Sequence, residues 1–153
     1  MTIDDIMNGD IVGVPTVVLN KETYSVDEVV VEGVVIGFTE SGAILEYDSD
    51  GETANTIAAE VSPVEMTNEF LKGNGFEEYE WNGSVSLGFM EEEESGLKRR
   101  VDVCSDENAY YIIGLDSNYR YIRIDSHNVH DLQHVMHSLG FKKKLKPIYK
   151  DNC

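Results

Sequence analysis

All four histidines of the chain fall within one short stretch, as His127, His130, His134 and His137. The last three follow i, i+4, i+7 spacing, which sets three imidazoles on one side of a helix. Imidazole is the commonest metal ligand, and an i, i+4 pair can chelate zinc, nickel or copper. His130, His134 and His137 are therefore the candidate metal ligands. No Cys, carboxylate or further His with ligand spacing completes the set nearby. There is no HExxH, because Asp131 follows His130 and Gln133 precedes His134. The same residues read equally as a polar helix face or as a docking surface.

Other chemistry-bearing clusters have plainer readings. Asp48-Ser49-Asp50-Gly51-Glu52 has part of a calcium loop. It lacks the third Asp/Asn before the glycine and a correctly spaced bidentate Glu, so it reads as a hairpin turn. Lys142, Lys143, Lys144, Lys146 and Lys150, with Phe141 and Tyr149, could contact phosphate. Against the charge of the whole chain they argue instead for a tail that folds back on acidic residues. Cys104 reads as a packed thiol in a strand and Cys153 as an exposed terminal one, and neither belongs to a CxxC pair. No GxGxxG, Walker loop or GxSxG occurs. The reading is of a non-enzymatic protein with no cofactor.

The chain has 153 residues, 12 Lys and Arg against 29 Asp and Glu, a formal net charge of -17 and 41% hydrophobic residues. That is too apolar for a disordered acidic tail and too poor in cysteine for a disulfide scaffold. The sign of the charge argues against a nucleic-acid binder. Residues 1–66 hold 14 of the acidic residues and one basic residue, Lys21, whereas 101–153 hold seven of each sign. A partner chosen by charge should thus present a basic surface and meet residues 1–66. Asp27, Glu28, Glu32, Glu46, Asp48 and Asp50 are the candidate acidic contacts. The start, MTIDDIMNGD, is acidic where a signal peptide needs positive charge. The longest apolar run, VVVEGVVIGF, is too short to span a bilayer. The expectation is a cytoplasmic protein with no membrane contact.

Short β-rich runs follow a lead-in at 1–8: 11–19, 24–38 bent at Gly33, 43–47 and 56–61, separated by turn residues. Pro15 marks an edge or a bulge. This predicts a small SH3-like β-barrel over 1–66. Thr67 caps a joint helix over 67–75 that Gly73-Asn74-Gly75 ends. Strands resume at 76–81, 85–90, 98–104, 109–115 and 119–124. The acidic arm Glu91–Glu94 should face Lys98, Arg99 and Arg100 across a hairpin, where opposite charges fix the register. Ser126 or Asn128 caps a helix from Val129 to Leu139 that Gly140 stops. Its apolar side is Val129, Leu132, Val135, Met136 and Leu139, with His130, His134 and His137 opposite. Residues 76–153 thus read as an antiparallel sheet packed by one C-terminal helix with a basic tail, and the whole as mainly β (α+β). Alternation puts Tyr119 and Tyr121 on one sheet face and Ile122 and Ile124 on the other. If the Ile face takes the helix, Tyr119 and Tyr121 are left for a partner.

IAAEVSPVEMTNEFLKGNGFE (57–77) resembles a segment of small uncharacterised proteins of Bacteroidetes and their phages, in which a Thr-capped helix ends in an Asn-Gly-Phe turn. YIRIDSHNVHDLQHVMHSLGF (121–141) is similar to their strand followed by a Val-His-x-Leu-Gln helix, and MTIDDIMNGDIV (1–12) to their start. His130 and Gln133 match recurring positions of that family, whereas His134 and His137 do not. The resemblance implies an origin in a phage, a mobile element or a gut-type bacterium, and supplies no activity. Three functions follow as expectations: a protein-binding accessory protein, in its sharpest form a host-defence inhibitor using an acidic face; a virion structural component; and a His-based metal-binding protein or enzyme.

Overall fold

The computed structural model describes residues 6–20, 22–49, 51–81, 84–105, 110–116 and 120–147. Among these residues it is mainly β, with two five-stranded antiparallel sheets and two helices. The described residues divide into two compact units, one of residues 6–64 together with Pro147 and the other Glu65–Lys146. Helix α1 (Asn68–Gly73) belongs to the second unit rather than standing between modules. Among the described residues no helix is long and apolar enough to cross a membrane.

The first sheet has the order β4-β3-β2-β1-β5. Its strands are β1 (Ile11–Asn20), β2 (Ser25–Thr39), β3 (Gly42–Ser49), β4 (Glu52–Ala58) and β5 (Ser62–Pro63). No pairing closes it into a barrel among the described residues. Pro15, which has no N–H to donate, pairs with Val30 on one side, while β5 meets β1 only at Val12 and Gly13. The proline therefore falls where β1 has a single partner strand. The bend expected at Gly33 is instead a register shift between Val35 and Gly37. Gly33 stays in the ladder, paired with Val12 and Tyr47, and leaves no room for a side chain: a Cβ there would strike a Val14 methyl at 2.6 Å and the Glu46 carbonyl at 3.0 Å. Strand β4 begins at Glu52 and not at 56, since the turn after Ser49 pairs Ser49 with Glu52 at once. The core is Ile6, Val12, Val14, Val35, Ala43, Leu45 and Val61, with Val31, Tyr47 and Ala58 packed on it.

The second sheet is a meander, β6 (Glu77–Trp81), β7 (Ser84–Glu92), β8 (Lys98–Ser105), β9 (Tyr110–Leu115) and β10 (Tyr121–Asp125). The expected charge register holds: Glu91 faces Arg99 and Glu92 faces Lys98. Arg99 is buried and ion-paired to Glu93 and, at 3.5 Å, to Glu91. Before the sheet comes α1, whose cap Thr67 accepts a bond from the Phe70 N–H at 3.1 Å. Gly75 follows its end at φ 89, the left-handed region where glycine carries no Cβ penalty. After the sheet comes α2 (Val129–Ser138), with Asn128 as N-cap. The other expected cap, Ser126, accepts from the Asn128 N–H at 3.1 Å and donates to Asp131.

Helix α2 packs the expected face, with Val129, Leu132, Val135, Met136 and Leu139 buried. Gly114 of β9 makes room for it, since a Cβ there would meet Val135 at 3.0 Å and overlap Leu139. Ile122 pairs with Gly114 and Ile124 with Ile112, so the Ile face of β10 is the helix face. The stretch after α2 does not form a loose basic tail over 141–146. Phe141 and Leu145 are buried, and the Glu91 carboxylate accepts the N–H of Lys142 at 2.8 Å and of Lys143 at 3.0 Å. The buried Asn74 amide holds Lys146 from both sides, donating to its carbonyl at 3.0 Å and accepting its N–H at 2.8 Å. Within its own unit, those contacts fix the backbone of this stretch.

Candidate functional site

The face of the first sheet turned away from its core is built by β2, β3 and β4. Along β2 the core side takes Val31, Gly33 and Val35, so Val30, Glu32 and Val34 point outward. Val34 pairs with Glu46, and Glu46 with Asn55. Ile44 pairs with Ile57, and Asp48 with Thr53. Glu46, Asp48, Ile44 and Ile57 therefore share that outer face. Continuing the β2–β3 register by one residue beyond Gly33 and Tyr47 brings Glu32 level with Asp48.

The result is an acidic row inside an apolar rim. Only Glu32 and Asp48 stand directly opposed, where cross-strand neighbours are about 4.5–5.5 Å apart and a like-charge pair costs up to about 1 kcal/mol; Glu46 faces Val34 and Asn55. The rim is Val30 (63% exposed) on one side and Ile57 (53% exposed) on the other, with Ile44 and Val34 half-buried between them. A cationic, partly apolar surface would match the sign of this row and cover the rim together.

Of the acidic contacts expected from sequence, the fold thus gathers Glu32, Glu46 and Asp48. Asp27 and Glu28 lie on β2, opposite Val18 and Val17, with side chains outside the described residues, as are Asp50 and Tyr119. Tyr121 belongs to the other unit, on the face opposite Ile122 and Ile124, and is 59% exposed. Sequence reasoning missed Val30, Ile44 and Ile57. The alternation of VVVEGVV contained the signal for Val30, but Ile44 and Ile57 needed the pairing of β3 with β4.

Two of the three histidines meet, and the three differ in burial. His130 is buried (7% exposed), His134 half-buried and His137 exposed. His130 and His134 stack edge to face at 5.9 Å, and the His130 Nδ1 is buried without a hydrogen-bond partner among the described residues. The helical wheel placed His130 on the open side. At the helix start another stretch of chain crosses, where Glu65 bridges Asn128 and the Met66 N–H donates to the His127 carbonyl at 2.7 Å. Among the described residues no group of three His, Cys, Asp or Glu could hold a metal ion.

On the face of the second sheet away from α2, Arg100 lies 4.6 Å over the Tyr79 ring and donates to Asp102 at 2.9 Å. Burial, then the Asp102 hydrogen bond, pushes the Tyr79 phenol up to about 12. Gly88 sits beneath the cluster, with only 2.5 Å to spare between a would-be Cβ and the Asp102 carboxylate. Beside it Ser86 donates to the buried Cys104 thiol at 3.3 Å. A cavity of about 100 Å³ beside α1, lined by Met66, Leu71, Val85 and Leu87, is well under the roughly 300–1,000 Å³ of ordinary small-molecule sites. Compared with protein-family models, curated proteins and solved structures, the chain matches none of them.

Proposed function

We propose that this chain is a non-enzymatic, protein-binding accessory protein of phage or mobile-element type that acts in the cytoplasm. Its first unit would present an acidic sheet face to a partner with a basic surface. The observation that carries the reading is the outer face of β2–β4, where Glu32, Glu46 and Asp48 share one surface with exposed Val30 and Ile57. Charge kept only for solubility has no need of an apolar rim, whereas an interface uses both. The resemblance of residues 1–12, 57–77 and 121–141 to phage-associated proteins supports the setting, and a host-defence protein whose basic site the acidic face occupies is the sharpest form of it. We read the first sheet as an SH3-like roll. The order β4-β3-β2-β1-β5 and the register shift in the long β2 support that reading.

The test is a titration of isotope-labelled protein with a synthetic Lys- and Leu-rich peptide, followed by NMR. Resonances of Val34, Ile44, Glu46 and Ile57 should move together, and binding should weaken as salt is raised. The variant Glu32→Gln/Glu46→Gln/Asp48→Asn should lose at least about tenfold in affinity. Shifts spread over every acidic stretch, or a triple variant that binds as before, would overturn the reading.

A further inference from the structure

Among the described residues the two sheets end in four edge strands, and three of these are guarded. Strand β5 is two residues long and contains Pro63. Strand β6 carries Glu77, Glu78 and Glu80, and β10 carries Arg123 and Asp125. Short length, proline and charge are the usual means of stopping a sheet edge from pairing with another chain. Strand β4 has none of them. It runs for seven residues as Glu-Thr-Ala-Asn-Thr-Ile-Ala, charged only at its first position. Its register with β3 is unbroken from Ser49/Glu52 to Ala43/Ala58, so no bulge twists the edge away. It is the last strand of its sheet, with an outward row of N–H and C=O groups that no described strand covers.

We infer that β4 pairs antiparallel with β4 of a second copy of this chain, joining the two first sheets into one across a two-fold axis. A two-fold interface must be self-complementary, so residue i meets residue j and j meets i. Centred on Asn55, the pairing sets Asn55 against itself, Ala54 against Thr56, Thr53 against Ile57 and Glu52 against Ala58. Each Thr53–Ile57 contact is a β-branched pair on the outer face, where Ile57 is exposed, and such pairs favour strand association. The only charge, Glu52, faces Ala58 and never its own copy. The acidic residues Glu46 and Asp48 are one strand further in, so their nearest counterparts stand about three strand spacings away, roughly 14 Å. That exceeds the Debye length of about 8 Å at physiological ionic strength. At about 0.01 M salt the Debye length is about 30 Å and the repulsion acts, so raising salt from there should strengthen this association, the opposite of its effect on a basic partner at the acidic face. Ile57 belongs to both surfaces, so the opposite response to salt and the Asn55 variants are what tell the two apart.

A single strand edge buries less than a standard interface, so the dissociation constant belongs roughly in the micromolar-to-millimolar range. Sedimentation velocity on a dilution series from about 1 mM should show 17.2 kDa monomer passing to dimer, with more dimer at higher salt. Asn55→Lys and Ile57→Lys should each weaken the dimer at least about tenfold, with the far-ultraviolet circular dichroism unchanged. In a Cys153→Ser background, Asn55→Cys should oxidise to a covalent dimer while Thr53→Cys should not. Protein that stays monomeric across the series, a dimer that both lysine variants leave intact, or cross-linking by Thr53→Cys alone would overturn the inference.

Discussion

Asn74→Asp changes one atom of a buried side chain and should act as a pH-dependent fault in the second unit. Asn74 is 4% exposed, and its Nδ2 donates to the Phe70 carbonyl and the Lys146 carbonyl, both at 3.0 Å. An aspartate keeps the acceptor for the Lys146 N–H but turns a carboxylate oxygen on two carbonyl oxygens. Losing two hydrogen bonds costs about 2 kcal/mol, and desolvating the unpaired carboxylate adds about 1–2, giving roughly 3–4 kcal/mol at neutral pH. The carbonyls disfavour the charged form, so the folded-state pKa of the new carboxyl lies above its unfolded value of about 3.9. A group raised in this way stabilises the fold fully below its unfolded pKa and loses that contribution as pH rises through the folded one. The gap to wild type should thus be smallest near pH 4, where a protonated carboxyl can donate once, and reach its full size by about pH 7. Urea unfolding of wild type, Asn74→Asp and Asn74→Ala at both pH values measures it, with the alanine variant supplying a gap that does not titrate. A gap for Asn74→Asp that is equal at the two pH values would refute the placement of that amide between two carbonyls.

Three further outcomes follow from the same reasoning. Gly42→Ala should cost at least about 2 kcal/mol, because φ is 142 and a Cβ would overlap the Ala58 carbonyl. Gly51→Ala, at φ 84 with open space around it, should cost only about 1 kcal/mol, and a comparison of melting temperatures decides the contrast. Glu91→Ala removes the acceptor for the Lys142 and Lys143 N–H groups and one partner of buried Arg99. It should cost about 2–3 kcal/mol and speed hydrogen exchange at those two amides; unchanged exchange would count against the clamp. The Tyr79 phenol, near 12, should ionise after an ordinary tyrosine, read as tyrosinate absorbance by difference from Tyr79→Phe. Because that pKa is raised, its contribution to stability is whole below about pH 10 and fades as pH climbs toward 12, and Asp102→Asn should move the titration down.

Local rules reached some of these features and stopped at others for identifiable reasons. The Thr67 cap and the Glu91–Arg99 register were legible because each depends on residues a few positions apart and on one type of interaction. Asp27, Glu28, Glu32, Glu46, Asp48 and Asp50 were legible as a charged set. Which of them share a face depended on the β2–β3 register, and that is fixed by long-range pairing. Strand β4 was placed late because apolar content was followed into Ala58–Val61, whereas hydrogen bonding to β3 recruits the polar Thr53 and Asn55. His130 was misjudged because amphipathicity describes a helix alone and not what the rest of the fold lays against it. The Lys146–Asn74 clamp joins residues 72 apart, beyond any periodicity argument.

The residue after Asn74 is Gly75, and Asn-Gly is the dipeptide that most readily loses ammonia through a succinimide to give Asp or isoAsp. That reaction needs the Gly75 nitrogen to reach the Asn74 side-chain carbon. In the fold the Gly75 N–H is held on the Lys72 carbonyl at 3.1 Å, and the Asn74 amide is held on Phe70 and Lys146. Both reacting groups are tethered, so the intact fold slows its own chemical ageing at this point. A chain that deamidates there while unfolded returns with the destabilising Asn74→Asp change in place, and its damage is read out as lost stability rather than as a silent change of mass.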